Sequence, residues 1–190
     1  MPLQPANLLS NGYIVPNRFV MIDPTSTQPT TSLGGQGGFH VIQAVAAGTS
    51  ISNAIAAGYA GQTIGISADG TNYPPINDPT IFPSGILAIA AAPGQWIKIF
   101  GVGSTDVLLE MAAACNPGDL LSPTGTNANL TLSSGALQDA NAGRGTPITT
   151  ISTPGTQEAI FYGARAIQAC TGATGEKIRV DILEGWYKHS

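Results

Sequence analysis

The stretch EAIFYGARAIQACTGATGEKIRVDILEGWYK, residues 158–188, carries the clearest structural pattern of the chain. Two strand-like segments, 158–170 and 177–188, flank the glycine-containing turn TGATGE at 171–176. In the second segment charged side chains alternate with branched apolar ones, as in a strand with one buried face. The charged set is Lys177, Arg179 and Asp181, and the apolar set is Ile178, Val180 and Ile182. The pattern predicts two antiparallel strands joined by a short connection.

The composition extends this β pattern to the rest of the chain. Only 9% of the 190 residues are charged, whereas ordinary soluble domains have roughly 25%. The 24 glycines and 14 prolines oppose a long helical bundle, and the 43% of hydrophobic residues opposes charge-rich disorder. The chain is therefore predicted to be one mostly β, turn-rich protein that hides much of its surface in an assembly.

Residues 1–37 are predicted to form an extended N-terminal arm, and residues 38–190 a β-rich body. Prolines recur through the first segment, and TSTQPTTSLGGQGG at 25–38 is polar and low in complexity. Two short strand-like pieces, 13–15 and 18–22, lie inside the arm. The body begins at Phe39, where the composition changes to apolar strand-forming residues.

Four apolar side chains of the arm lack a partner face of their own. Segments of this kind commonly order against a neighbouring chain by adding a strand to an exposed edge. The arm is therefore predicted to contact another subunit, and the alternative is that it folds back on its own body. The predicted contact residues are Leu3, Leu8, Leu9 and Tyr13.

The body is predicted to contain several short strands with one ambiguous segment. DVLLEMAAA at 106–114 fits a helix and a strand equally well, and the Pro- and Asn-rich segment 68–85 is predicted to be a long loop. The turn Asn-Pro-Gly-Asp follows at 116–119. The other predicted elements are strands at 39–48, 63–68, 86–92 and 96–100 and a short helix at 50–61.

Charge and hydropathy exclude two classes of partner. The net charge is −4 with a pI near 4.8, and no two basic residues are adjacent, so no nucleic-acid-binding stripe is present. The longest apolar run, Ile86–Ala92, falls far short of the roughly 20 residues of a membrane span. The N-terminus has no signal-peptide pattern, so synthesis in the cytoplasm without targeting is predicted.

The residue types that carry catalysis do not form a recognisable arrangement. The histidines are His40 and the penultimate His189, and no Gly-x-Ser-x-Gly elbow occurs. Cys115 and Cys170 lie in apolar surroundings, and buried reduced thiols are favoured over a disulfide. The sequence therefore predicts no enzyme and no catalytic residue.

Glycine-rich and acidic segments are likewise predicted to be structural. GGQGG at 34–38 lacks the Gly-Lys-Ser/Thr of a phosphate loop and is interpreted as a hinge, while GVGS at 101–104 is interpreted as a tight turn. Asp69 begins a fragment similar to a calcium loop without its closing Glu. No cofactor and no metal site is predicted.

Residues 85–184 resemble the cement, or head decoration, proteins of tailed bacteriophages. Two segments and the Gly-rich loop between them carry the resemblance, GQWIKIFGVGSTDVLLEMAAACNPGDLLSPTGTNANLTL at 94–132 and IFYGARAIQACTGATGEKIRVDIL at 160–183. The family's Gly-Asp-Leu-Leu step matches residues 118–121. The family's closing motif, similar to Gly-Arg-Ala-Leu, matches residues 163–167, with one residue inserted between Gly163 and Arg165.

The resemblance implies a structural protein of the virion. The expected fold is a small β-barrel or sandwich (β-tulip-like) with the N-terminal arm. Such proteins bind the outer surface of the assembled capsid and clamp neighbouring major capsid subunits against internal pressure. The implied partners are the major capsid protein and two further copies in a homotrimer, with no nucleic acid and no membrane.

A second interpretation is a carbohydrate- or receptor-binding module on a virion surface. It depends on aromatic side chains that can stack on sugar rings. These are Tyr59, Tyr73, Trp186 and Tyr187.

Overall fold

The computed structural model describes residues 8–10, 14–22, 39–44, 62–68, 89–90, 95–124, 141–148 and 159–188. This part of the chain contains ten strands and no helix, so the prediction of a mostly β protein is confirmed. The strands are β1 (Leu8–Ser10), β2 (Phe19–Ile22), β3 (Phe39–Gln43), β4 (Gly65–Ser67), β5 (Ile99–Phe100), β6 (Val107–Glu110), β7 (Leu120–Pro123), β8 (Gly145–Pro147), β9 (Ala159–Ala166) and β10 (Lys177–Lys188).

The first five strands form one sheet, which we call sheet one, in the order β1-β3-β2-β4-β5. All neighbours in it run antiparallel except β1 and β3, which are parallel. Strand β2 lies in the middle, where Val20 is opposite Gln43 on one side and Gly65 on the other. The predicted strands at 39–48 and 63–68 correspond to β3 and β4.

The last five strands form sheet two, which is antiparallel throughout, in the order β6-β10-β9-β7-β8. The long strand β10 lies between β6 and β9, so Val180 is opposite both Val107 and Ala166. A register shift interrupts the β9–β10 ladder between Ile182 and Gly185. The antiparallel pairing predicted for 158–170 and 177–188 is confirmed, and DVLLEMAAA is resolved as the strand β6.

The outer strands of sheet two approach each other without closing a barrel. One isolated parallel bridge joins Met111, just after β6, to Gly145 at the start of β8, and Ala112 N–H donates to Gly145 C=O at 2.9 Å. A Cβ on Gly145 would lie 2.7 Å from the Leu109 side chain, so this approach requires glycine. A closed barrel is not observed; the described residues form two sheets.

The two sheets share one hydrophobic core. Its residues come from β2, β3 and β4 of sheet one and from β6, β7, β9 and β10 of sheet two, and Phe19, Leu109 and Leu121 are completely buried. A second, smaller cluster packs around Val20 and Val41 on the opposite face of sheet one. Sheet one is therefore apolar on both faces, which explains why FVMI in β2 shows no alternation of apolar and polar residues.

The prediction that residues 1–37 form an unpacked arm is wrong for residues 14–22. Phe19 and Met21 lie in the shared core. The turn just before β2 is held by Gln43 of β3, whose side-chain amide accepts a hydrogen bond from Val15 N–H and donates one to Phe19 C=O. Pro16 lies before β2 and does not interrupt it. This segment follows the alternative interpretation, in which the arm folds back on its own body.

Three predicted turns are present with the glycine geometry that each requires. Ser104 N–H donates to Gly101 C=O across Gly103, and Asp119 N–H donates to Asn116 C=O across Gly118. Both third-position glycines have a positive φ, which a type II turn needs. The third turn closes between Ala173 and Glu176.

Two other predictions have a different outcome. The strand predicted for 96–100 is reduced to Ile99–Phe100, with Trp96 in an isolated bridge. The predicted helix at 50–61 and the long loop beyond Ala68 lie outside the described residues.

Within the described part of the chain, no helix is long and apolar enough to cross a membrane.

Candidate functional site

Two of the four predicted contact residues can be placed along the backbone. Leu8 and Leu9 belong to β1 and are opposite Phe39 and His40 of β3 in the same chain. Leu3 and Tyr13 lie outside the described residues. The strand addition that was predicted for a neighbouring chain is thus made, at β1, to the chain's own sheet.

A buried ion network ties this N-terminal segment to sheet two. Arg18 donates two hydrogen bonds to the Glu110 carboxylate, from Nε to Oε2 at 2.9 Å and from Nη2 to Oε1 at 3.3 Å. Arg144 reaches the same carboxylate at 2.7 Å, and its other Nη donates to the Asn141 side chain at 2.8 Å. Arg18 also donates to Ala142 C=O. One carboxylate therefore holds three separate segments of the chain together.

The electrostatics of Glu110 follow from this geometry. Burial alone raises the pKa of the carboxyl, but the hydrogen bonds and positive charges of Arg18 and Arg144 outweigh it, so the pKa lies below its ordinary value. Glu110 consequently stays ionised in the folded protein. A carboxylate fully engaged by two guanidinium groups neither takes up nor releases a proton near neutral pH, so the network is suited to a structural role.

The outer face of sheet two presents apolar side chains to solvent in one row. Leu108 of β6 is opposite Arg179 of β10, and Ile167, just after β9, donates its N–H to Arg179 C=O on the other side. Leu108 is 40% exposed and Ile167 is 41% exposed. Arg179 between them binds Asp106 at 2.6 Å. We call Leu108, Arg179 and Ile167 the outer-face row; it combines two exposed apolar side chains with one arginine.

Further apolar exposure follows the connection from β5 to β6. Phe100 lies on β5, at the border of sheet one, and Val102 lies in the turn that follows. Gly103 N–H donates to Ile182 C=O, and Ile182 N–H donates to Ser104 C=O, so this turn is anchored on β10. The connection therefore carries exposed apolar side chains on a fixed backbone.

The aromatic residues of β10 do not form a single stacking platform. Trp186 packs edge-to-face on Phe161, with ring centroids 5.4 Å apart, and Tyr187 is its direct neighbour in the strand. Consecutive strand residues point to opposite faces, so Trp186 and Tyr187 cannot stack on one sugar ring. Tyr59 and Tyr73 lie outside the described residues.

The sequence placed Arg179 on the polar face of the last strand but did not single out Leu108 and Ile167 as exposed neighbours of it. Leu108 belonged to a segment that fitted helix and strand equally, and a helix would have placed it on a different face. Ile167 was placed in the predicted strand at 158–170 without an assignment to either face. Only the register of β6 and β9 against β10 shows that both flank Arg179.

The two cysteines are free and buried, as predicted. Among the described residues, His, Cys, Asp and Glu form no group of three that would hold a metal ion. His40 contributes backbone pairing to β3, and the glycine-rich segment 34–38, Asp69 and His189 lie outside the described part.

Compared with protein-family models, with curated proteins and with solved structures, the chain matches none of them. What the protein does is therefore inferred from its own residues.

Proposed function

We propose that the protein is a structural cement protein of a tailed-phage head, which binds the outer capsid surface and clamps neighbouring major capsid subunits. The sequence resemblance of residues 85–184 motivates this proposal. The outer-face row is the observation that carries it, because Leu108 and Ile167 are large apolar side chains that are 40% and 41% exposed on either side of Arg179. Exposed apolar side chains with a central arginine are typical of protein-protein contact surfaces.

The physical logic of clamping fits a protein with few charges. Each contact with a capsid subunit can be modest, since a homotrimer that engages several subunits gains effective concentration after the first contact. A closed cyclic trimer also limits further association. The small acidic excess of the chain favours the solubility of the free protein.

Co-sedimentation with phage heads tests the proposal directly. Purified full-length protein is mixed with expanded heads that lack it and, separately, with unexpanded proheads, both from the phage that encodes the chain. The expected result is saturable binding to expanded heads only. Recovery of the protein in the supernatant at all concentrations of expanded heads would overturn the proposal.

A charged double variant tests the surface. In L108E/I167E the outer-face row becomes acidic, and binding to heads should fall at least tenfold because two carboxylates would have to be desolvated at the contact. The matched control T174E adds a carboxylate to the exposed 171–176 turn and should bind normally. Circular dichroism establishes that both variants are folded. Unchanged binding by the folded double variant would exclude this face as the contact.

The arm contacts need a narrower test than removal of residues 1–37, because that deletion takes away Phe19 and Met21 from the core. Deletion of residues 1–7 removes Leu3 and leaves β1 and β2 in the chain. Weaker head binding by this variant supports an intersubunit contact by the arm. Binding equal to that of the full chain would assign the contact elsewhere.

The alternative, a carbohydrate- or receptor-binding module, keeps one supporting observation, the exposed indole of Trp186 on Phe161. A glycan array distinguishes the two functions. Binding that disappears in W186A would favour the module, and an array without binding would remove it.

A further inference from the structure

Cys115 and Cys170 face each other across a short antiparallel bridge. The two residues exchange both backbone hydrogen bonds, Cys115 N–H to Cys170 C=O at 3.1 Å and Cys170 N–H to Cys115 C=O at 3.0 Å. Their Sγ atoms are 3.1 Å apart. The thiols therefore form a directly opposed pair whose position is set by the backbone, although 55 residues separate them in the chain.

We propose that Cys115 and Cys170 are a reversible disulfide site, which closes by exchange with a small-molecule disulfide such as glutathione disulfide. This proposal does not depend on the function proposed above. One thiolate attacks the glutathione disulfide, forms a mixed disulfide and releases one glutathione. The second thiolate then attacks the mixed disulfide, forms the Cys115–Cys170 bond and releases the second glutathione. The protein loses two electrons and two protons, and the glutathione disulfide gains them.

The backbone geometry suits this bond. An antiparallel hydrogen-bonded pair has Cα atoms about 5.5 Å apart, within the range of about 4.4–6.8 Å that disulfides span. Bonded sulfurs lie about 2.05 Å apart, so the two Sγ atoms have to approach by about 1 Å from their observed 3.1 Å. Rotation of the two side chains supplies this movement without a change of strand register.

The surroundings assign an order to the two steps. Cys170 is the more exposed residue of the pair, at 9% against 4% for Cys115. Burial and the hydrogen bond to Cys170 raise the pKa of the Cys115 thiol. Cys170 therefore attacks the small disulfide, and Cys115 resolves the mixed disulfide.

Closing the bond affects stability more than structure. It joins the segment after β6 to the segment after β9 and encloses β7, β8 and β9 in one covalent loop. A cross-link over a loop of this length restricts the unfolded chain, so the melting temperature should rise by roughly 5–15 °C. The hydrogen bonds lost are weak ones made by the thiols, namely the bond between the two Sγ atoms and the donations to Gln168 C=O and Ala113 C=O.

The test uses the full-length reduced protein, equilibrated with buffers of increasing glutathione disulfide to glutathione ratio. The expected product is a monomer on non-reducing gels that has lost both free thiols and the mass of two hydrogens, and that melts at the higher temperature until dithiothreitol restores the original value. Retention of both thiols, glutathione attached without an internal bond, or an oxidised form that melts below the reduced one would each overturn the proposal.

Single-cysteine variants test the order of the steps. In C115S the remaining Cys170 should take up one glutathione, whereas in C170S the remaining Cys115 should stay unmodified under the same conditions. Cys115→Ala and Cys170→Ala repeat the comparison where serine disturbs folding. Faster modification of Cys115 than of Cys170 in the folded variants would contradict the assigned order.

Discussion

At the scale of single residues, Glu110 combines a negative charge with burial of its side chain. Its side chain is 7% exposed and bears the negative charge that two guanidinium groups share. Removing one member of a buried ion group leaves uncompensated charge in a low-dielectric environment, whereas an exposed pair is screened by water. The chain offers both cases for comparison, because Arg179 and Asp106 form an ion pair of similar length at the surface.

Glu110→Gln should lower the free energy of unfolding by about 3–5 kcal/mol, because Arg18 and Arg144 would remain buried without a counter-charge. The matched control Asp106→Asn removes the exposed partner of Arg179 and should cost at most about 1 kcal/mol. Urea unfolding of both variants measures the difference. Equal effects of the two substitutions would mean that burial does not govern the Glu110 network.

Acid should destabilise the protein through the same carboxylate. The folded pKa of Glu110 lies below its ordinary value of 4.5, so the unfolded chain binds the proton more readily. The stabilisation is present above pH 4.5 and is lost as the pH falls through the lower folded value. Urea unfolding between pH 7 and pH 2 should show this decline in the wild type.

The decline should be shallower in Glu110→Gln, which has no proton to take up at this position. The decline in stability should not vanish in this variant. Hydrogen bonds from Thr171 and neighbouring backbone N–H groups also lower the pKa of Glu176, so protonation of Glu176 at low pH destabilises the protein as well. An identical pH dependence in wild type and variant would show that Glu110 does not contribute to the acid sensitivity.

At the scale of elements, β6 shows how pairing decides what local sequence leaves open. The residues VLLE are compatible with a helix, but Val107 and Leu109 enter the core only because β6 pairs with β10. The same pairing turns Leu108 outward. Two adjacent leucines of one strand therefore have opposite environments.

Leu109→Ala should destabilise the protein by roughly 2–5 kcal/mol, since it leaves a cavity in the shared core. Leu108→Ala, on the exposed face, should change stability by no more than about 0.5 kcal/mol. Thermal and urea unfolding of the two variants give the comparison. A large loss of stability in Leu108→Ala would mean that Leu108 is covered by another part of the chain or by another subunit.

At the scale of the whole molecule, the shared core makes the two sheets interdependent. Phe19 and Ile66 of sheet one and Leu121 and Val180 of sheet two belong to a single cluster of buried residues. The Arg18–Glu110 ion pair and the hydrogen bond from Phe19 N–H to Gly143 C=O also connect the β2 region of sheet one to the β6 and β8 regions of sheet two. Separation of the sheets would expose this cluster and break the ion pair together.

Unfolding should therefore be a single transition. Tryptophan fluorescence can test this, because Trp96 precedes β5 of sheet one and Trp186 lies in β10 of sheet two. The variants W186F and W96F each report one location, and their melting curves should coincide. Phe19→Ala should shift both curves downward together, by a loss of about 3–5 kcal/mol. Two separated transitions would contradict a common core.

The sequence predicted several elements from short-range pattern. The β9–β10 pairing, the strands β3 and β4 and the glycine turns at 101–104 and 116–119 were all found where local pattern and turn chemistry agree. Strand β2 corresponds to the strand-like piece predicted at 18–22, but its burial was missed, because FVMI is apolar on both faces and lies in a proline-containing segment that resembles an extended arm. The ion network was missed because its members lie 92 and 34 residues from one another in the chain.

By itself, the amino-acid sequence determined the β class and the antiparallel pairing of β9 with β10, since alternation and turn residues act over a few positions. It also determined the low share of charged residues, 9%. Tertiary structure alone decided that residues 14–22 enter the core, that Leu108 and Ile167 flank Arg179, and that Cys115 meets Cys170. These contacts join positions far apart in the chain, and their free energy depends on burial and register that no local pattern contains.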